Sequence, residues 1–306
     1  MKKFLLTFLA VTTALACLTA CTPKTNAQED NEQAKETSAV ELDESKKAIL
    51  VVSFGTSYED TREKTIGATE KAIAEAFPDY EIRRAFTSGT IIKKLAERDN
   101  IIIDTVDEAL EKLKNEGFGT VICQPTHIMP GKEYDELCSA CKGFEEIFPS
   151  FAIGSPLINS FDTYEEACLA FMSDKELGDD EAIIAMGHGT HHFANAIYSA
   201  LGYTFKDLGM TNVFVTTVEG VPSFEQTLKE LSSNEKIKKV KLYPFMIVAG
   251  DHANNDMAGD EEDSLKTVLK KAGYEVEANL VGLGENEAMR QLFVKNVEDA
   301  IASLEK

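Results

Sequence analysis

One order of elements occurs twice in this chain, and that repetition narrows the fold more than any other feature. "KAILVVSF" (47–54) is an apolar, β-rich run that ends in a Gly-Thr-Ser turn. "YEDTREKTIGATEKAIAEAF" has helical periodicity, and "YEIRRAFTS" is a second strand. "DTVDEALEKLKNEG" reads as a helix with Asp104 as N-cap and Gly117 as its stop. "GTVICQPTHIMPG" carries a third strand. The succession then returns as "DEAIIAMGHGT", "HHFANAIYSALGYTF", "NVFVTTVEG", "SFEQTLKELSSNEK" and "KKVKLYPFMIVAGDH". Strands alternating with helices predict parallel sheets flanked by helices.

The likeness extends to single positions. "VVSFGT" lies over "AMGHGT", so Phe54 falls at the place of His188 and Gly55 at that of Gly189. "QPTHIMPGKEYDE" lies over "YPFMIVAGDHANND"; Pro125 matches Pro244, Gly131 matches Gly250, and Glu133 falls at the place of His252. These matches indicate an internal duplication. The expected fold is α/β, with two similar doubly wound parallel-sheet halves (46–175 and 176–306) facing a cleft. Such sheets bind ligands outside the carboxyl ends of their strands.

The segment before the first strand has a different character. "MKK" precedes the apolar run "FLLTFLAVTTALACL", which has the size of a signal h-region and is short for a membrane span. It ends in "LTAC", which resembles a bacterial lipobox with Cys21 as the lipidated residue. Residues 1–21 are therefore expected to be a lipoprotein signal peptide. Each buried acyl CH₂ would contribute about 0.8 kcal/mol to the anchor. Residues 22–45 are polar and charged, with too little apolar surface to offset their ordering entropy, and read as a flexible tether. The expected location is extracytoplasmic, lipid-anchored to a bacterial membrane.

A formal net charge of −21 repels phosphate backbones, which argues against a nucleic-acid partner. Cys138 and Cys141 ("CSAC") lie in a helical pattern, as idle thiols or a disulfide; no second pair completes a zinc site. No phosphate-cradling Walker loop and no glycine-rich dinucleotide fingerprint is present, so no nucleotide is expected.

Three of the five histidines crowd into "MGHGTHHFAN". His188 ends one strand of the second half, His252 follows another, and Glu219 ends the strand between them in sequence. Two nitrogens and one oxygen suit a borderline divalent metal with open positions. His191 and His192 open the next helix, where at least one is expected to face solvent or cap the helix. His127 either touches a ligand or supports its loop. Ser53, Thr56 and Ser57, with their backbone N–H groups, can bind carboxylates.

Four motifs, "ILVVSFGTSYEDTR", "QPTHIMPGKEYDEL", "AMGHGTHH" and "YPFMIVAGDHANNDMAGD", resemble the anaerobic cobalt chelatases of the CbiK type, class II tetrapyrrole chelatases. The resemblance runs from Lys46 nearly to the C-terminus. It implies ATP-independent insertion of cobalt(II) into sirohydrochlorin, with iron or nickel as alternative metals. It implies His188, Glu219 and His252 as metal ligands and catalytic residues. Ser53, Phe54, Gly55, Thr56, Ser57, His127, Met129, Lys132 and Glu133 are then the expected substrate contacts, with Glu133 a second-rank base behind Glu219 or His188. A many-carboxylate substrate on an acidic protein needs local donors; Lys132 is the best placed, with Arg83, Arg84, Lys93 and Lys94 as further cations or a solvated face. The alternative is a surface lipoprotein that binds haem, another tetrapyrrole or metal without catalysis. Whether the chain forms a homo-oligomer stays open.

Overall fold

A computed structural model describes residues 40–305; the signal segment, Cys21 and most of the tether lie outside the described residues. The first half contains β1 (Asp43–Ser53), α1 (Glu59–Arg62), α2 (Ala68–Ala76), β2 (Glu81–Phe86), α3 (Gly89–Asp99), α4 (Val106–Asn115), β3 (Phe118–Pro125), α5 (Lys132–Cys141) and β4 (Ser150–Ile153). Helix α6 (Phe161–Met172) leads into the second half: β5 (Glu181–Gly187), α7 (Ala196–Asp207), β6 (Val213–Thr217), α8 (Phe224–Leu231), β7 (Lys239–Pro244), α9 (Leu265–Lys271), β8 (Glu275–Ala278) and α10 (Glu287–Ser303). Strand β1 starts at Asp43, so residues 43–45, read as tether, belong to the sheet. No described helix is long and apolar enough to cross a membrane.

Both sheets are parallel and share one topology, β2-β1-β3-β4 and β6-β5-β7-β8. The duplication is visible in the register: Val52 pairs with Pro125 in the first sheet, and Met186 with Pro244 in the second. Alternating side chains fill opposite faces, as a strand buried on both sides requires. Ala48, Leu50 and Val52 pack into one core with α4 and α5, whereas Ile49 and Val51 pack with Ile73 and Val297 on the other face. In the second sheet Ile183 and Ala185 join the α6–α7 core, and Ala182, Ile184 and Met186 the α8–α9 core.

Local signals set the helices. Helix α4 buries Val106, Ala109, Leu110 and Leu113, one face at helical spacing. Its N-cap is Thr105, which forms a capping box with Glu108. Asp104, the expected cap, instead makes a bridge with Ala85 and pairs with Lys112 at 2.6 Å. The strands respect the boundary between the halves, but the helices do not. Helix α6 packs on α7, and α10 returns to the first sheet, where Val297 and Ala300 are buried against it.

Candidate active site

In each sheet the chain reverses direction of growth between the two central strands. That is the switch point where an open α/β sheet leaves a crevice. His188 follows β5 and His252 follows β7, so one topological fact brings both to the same crevice. Their ring centroids are 4.5 Å apart with the planes at 86°. His188 lies next to Gly189, whose φ of +86° suits glycine; an added Cβ would sit 2.7 Å from the Gly220 nitrogen. This close approach lets the Glu219 amide donate to the His188 carbonyl at 2.9 Å, which fixes Glu219 beside the pair.

The ring nitrogens can be assigned from their partners. His188 Nδ1 lies 2.8 Å from the Gly189 carbonyl oxygen, which can only accept, so Nδ1 carries the proton. His252 Nδ1 lies 2.8 Å from Asp256 Oδ2 and likewise donates. Both Nε2 atoms therefore keep a lone pair for a ligand, since each ring's other nitrogen is tied by a hydrogen bond, as is usual for metal-binding histidines. Asp256, which sequence reading missed, is the partner that orients His252; its signal was the i, i+4 spacing from His252. Glu219 is exposed, and among the described residues no three His, Cys, Asp or Glu side chains stand ready to hold one metal ion. The structure thus brings the two imidazoles together and holds the glutamate next to them by its backbone only.

The first half supplies the opposite wall. Phe54 is half exposed, and Gly55 after it has φ +100°, matching Gly189. Glu133, in the first turn of α5, is close enough for its charge to act on Tyr198, whose hydroxyl lies by the His188 and Gly189 backbone; burial pushes that hydroxyl up to about 12. Besides the contacts that Asn286, Lys295 and Asn296 make with the first half, two polar pairs cross between the halves near the crevice. Tyr58 donates its hydroxyl to Asp251 at 2.5 Å, which raises the Tyr58 pKa, and His192 Nε2 stands 3.4 Å from Asp135. His192 also caps the short turn Phe193–Asn195, since its Nδ1 accepts from the Ala194 amide; His191 is exposed.

Other expected contacts are placed differently. Ser53, Thr56 and Ser57 are buried, and the Ser53 hydroxyl is bonded to Thr126 at 2.8 Å, so these residues build the loop. Met129 is packed in the core between the halves. His127 has both ring nitrogens sealed and without a hydrogen-bond partner, and burial lowers its pKa to about 4. Lys132 is exposed and pairs with Glu136, while Arg84 pairs with Glu70, Lys93 with Glu97, and Arg83 with Glu81 and Glu116. Arg83 and Arg84 lie mid-strand in β2, opposite Leu50 and Val51, away from the rim. Cys138 and Cys141 are free thiols on α5, as is Cys123 on β3.

The family described as "Cobalt chelatase (CbiK)" matches residues 47–302. The chain belongs to the CbiK cobalt chelatase family. It is 41% identical over 257 residues to a sirohydrochlorin cobaltochelatase of Salmonella typhimurium, covering 84% of this chain and 97% of that protein. It is 31% identical over 264 residues to the sirohydrochlorin cobaltochelatase CbiKC of Nitratidesulfovibrio vulgaris, covering 85% and 92%. Among solved structures, SirB from Bacillus subtilis with Fe3+ aligns over 85% of this chain and 97% of its own, with TM-score 0.58 and 12% identity. CbiX, the terminal enzyme for siroheme biosynthesis in denitrifying bacteria, aligns with TM-score 0.50 and 16% identity over 83% and 99%. At such identities these two structures speak for the fold alone. That shared fold has two α/β halves, as this chain does.

Proposed function

We propose that this CbiK family member inserts cobalt(II) into sirohydrochlorin without ATP. The observation that carries the reading is the imidazole pair, His188 and His252, each with its Nδ1–H tied and its Nε2 free, at one crevice. Neutral imidazoles hold a divalent ion firmly enough to replace part of its water shell, yet can release it. Glu219 completes the set by swinging its exposed side chain toward the pair.

The macrocycle docks with its ring nitrogens toward the ion. As cobalt enters, two pyrrole protons must leave. Glu219 takes one on the metal side; Glu133, on the opposite wall, is placed to take the other directly or through water. Phe54 presents an apolar face to the flat ring. Cobalt is the metal that both relatives' names carry; iron and nickel suit the same ligands and enter as competitors. Capture of haem, another tetrapyrrole or metal without insertion has less support, because both curated relatives bear the name of the insertion reaction.

The test is a chelation assay on the full chain with sirohydrochlorin and Co²⁺, followed by the shift in tetrapyrrole absorption. Insertion faster than the protein-free rate is expected, with loss in the His188→Ala, His252→Ala double variant. A rate equal to the blank, or full activity in that variant, refutes the proposal. We also propose lipid anchoring at Cys21 outside a bacterial membrane, supported by "LTAC" and the polar segment after it. Cys21→Ala should move the protein from the membrane to the soluble fraction; unchanged partitioning rules the anchor out.

A further inference from the structure

A polycarboxylate substrate poses a problem for this protein. Its cleft rim carries Glu133, Asp135, Glu219 and Asp251, and the cations expected to offset them are engaged elsewhere. Arg83 and Arg84 are paired within the first half, and Lys132 faces Glu136 along its own helix. One donor on the rim is differently placed. His192 stands on the loop between His188 and α7, and its ring is held by one hydrogen bond and borders one carboxylate. Its Nδ1 accepts from the Ala194 amide at 3.2 Å, so in the neutral ring the proton must sit on Nε2. That Nε2 lies 3.4 Å from the Asp135 carboxylate of the opposite half, near enough for a charge contact but without the geometry of a hydrogen bond. The Asp135 side chain is 64% exposed, so it can leave at little cost, whereas the His192 side chain is only 20% exposed and is held in place.

We infer that His192 is a substrate-carboxylate recognition residue, with Asp135 as the exchangeable carboxylate beside its Nε2–H when the cleft is empty. The inference rests on the tetrapyrrole reading above. It adds a residue, a ligand atom and a chemical class: a propionate or acetate side chain of the macrocycle takes the place of Asp135. The exchange has a second consequence. It removes the His192–Asp135 contact across the crevice, which leaves the Tyr58–Asp251 hydrogen bond to join the loops there. Phe193 follows His192, with its ring 83% exposed and 4.2 Å from the imidazole, ready to lie against the same macrocycle edge.

Asparagine separates the two jobs of His192. It is a preferred cap and its side-chain oxygen can accept from the Ala194 amide, but it places no donor at the position of Nε2. Full-length wild type, His192→Asn, His192→Ala and Asp135→Asn are compared in two measurements. One is the Kd for metal-free sirohydrochlorin, read from macrocycle fluorescence; the other is kcat and KM for cobalt insertion. His192→Asn should raise Kd and KM about tenfold, the loss of one hydrogen bond to a charged group, with kcat and the KM for cobalt unchanged. Asp135→Asn should lower Kd about two- to threefold, because an exposed competing charge is removed. A wild-type Kd and KM in His192→Asn overturn the inference, whether or not His192→Ala is impaired, since an effect seen only with alanine means that the residue merely caps its turn. If wild type itself neither binds sirohydrochlorin nor inserts cobalt, the chelatase reading has failed; if it does both while His192→Asn matches it, only this inference has failed.

Discussion

Removing Asp256 tests how the proposed metal site is built. Its carboxylate accepts from His252 Nδ1 at 2.8 Å, and among the described residues no other hydrogen bond fixes the tautomer of that ring. In Asp256→Ala the imidazole can place its proton on either nitrogen and can rotate, so the Nε2 lone pair faces the ion only part of the time. A hydrogen bond to a charged partner contributes about 1.5–3 kcal/mol. Here the two side chains are 36% and 41% exposed, so water screens the pair and the lower end applies. About 1.4 kcal/mol corresponds to about tenfold in affinity, at the bottom of the range of about 10–100-fold for losing such a partner. Titrating Co²⁺ into the full chain without tetrapyrrole, by calorimetry or by the visible bands of the ion, should show this weakening in Asp256→Ala. Asp256→Asn, which keeps an accepting oxygen, should recover part of it. Unchanged cobalt affinity in Asp256→Ala, with His252→Ala strongly impaired, would show that the ring is oriented by something other than this carboxylate.

Gly189→Ala should reduce cobalt affinity and lower the Tm, because a left-handed residue gains a Cβ that meets the Gly220 backbone; the strain is about 1–3 kcal/mol, and a wild-type Tm with wild-type affinity would refute the assignment. His127 sets a pH dependence of stability. Its pKa falls from 6.5 to about 4 on burial, so between those values the unfolded chain holds a proton that the folded one does not. Stability from this group is complete above about pH 6.5 and is lost as pH falls toward 4, by about 3 kcal/mol across the window. His127→Met, which installs the residue found at the matching position 246, should flatten denaturant-measured stability over that window; a slope equal to wild type contradicts the buried neutral ring. The Glu181 carboxyl, held at about 2 chiefly by Lys241, contributes stability that is present above pH 4.5 and lost toward 2, so its loss lies below most of the His127 window.

The parts of this protein that were legible in the sequence are those written in local patterns. Buried parallel strands are continuous apolar runs, and their ends are marked by glycine turns, so both sheets and the places of His188 and His252 could be read directly. The duplication was legible because Pro125 and Pro244, Gly55 and Gly189 sit at the same points of two equal registers. Features that depend on distant pairing were not. Arg83 and Arg84 looked like free charge beside a cleft, but Glu116 and Glu70, far off in sequence, hold them. The buried state of Ser53 and Thr56 follows from loop packing, for which hydroxyl residues give no signal. The crossing of α10 back to the first sheet had no mark either, because an amphipathic helix does not state which sheet its apolar face will meet.

The duplication also bears on why the proposed metal ligands lie in one half only. The Glu219 amide donates to the His188 carbonyl, and in the first half the Ser88 amide donates to the Phe54 carbonyl at 3.2 Å, so Ser88 is the counterpart of Glu219. The trio His188, Glu219, His252 thus corresponds to Phe54, Ser88, Glu133. Phenylalanine offers no ligand atom, and the Ser88 hydroxyl is occupied by capping α3 at the Ile91 amide. Glu133 alone keeps a group that can take a proton. A symmetric cleft with imidazoles on both walls would surround the ion with nitrogen and hold it too tightly to give it up, since affinity of such ligands for these metals is high. On the proposed reading, a wall reduced to a carboxylate and an apolar ring leaves the ion bound from one side, the macrocycle free to approach from the other, and the protons an acceptor in Glu133.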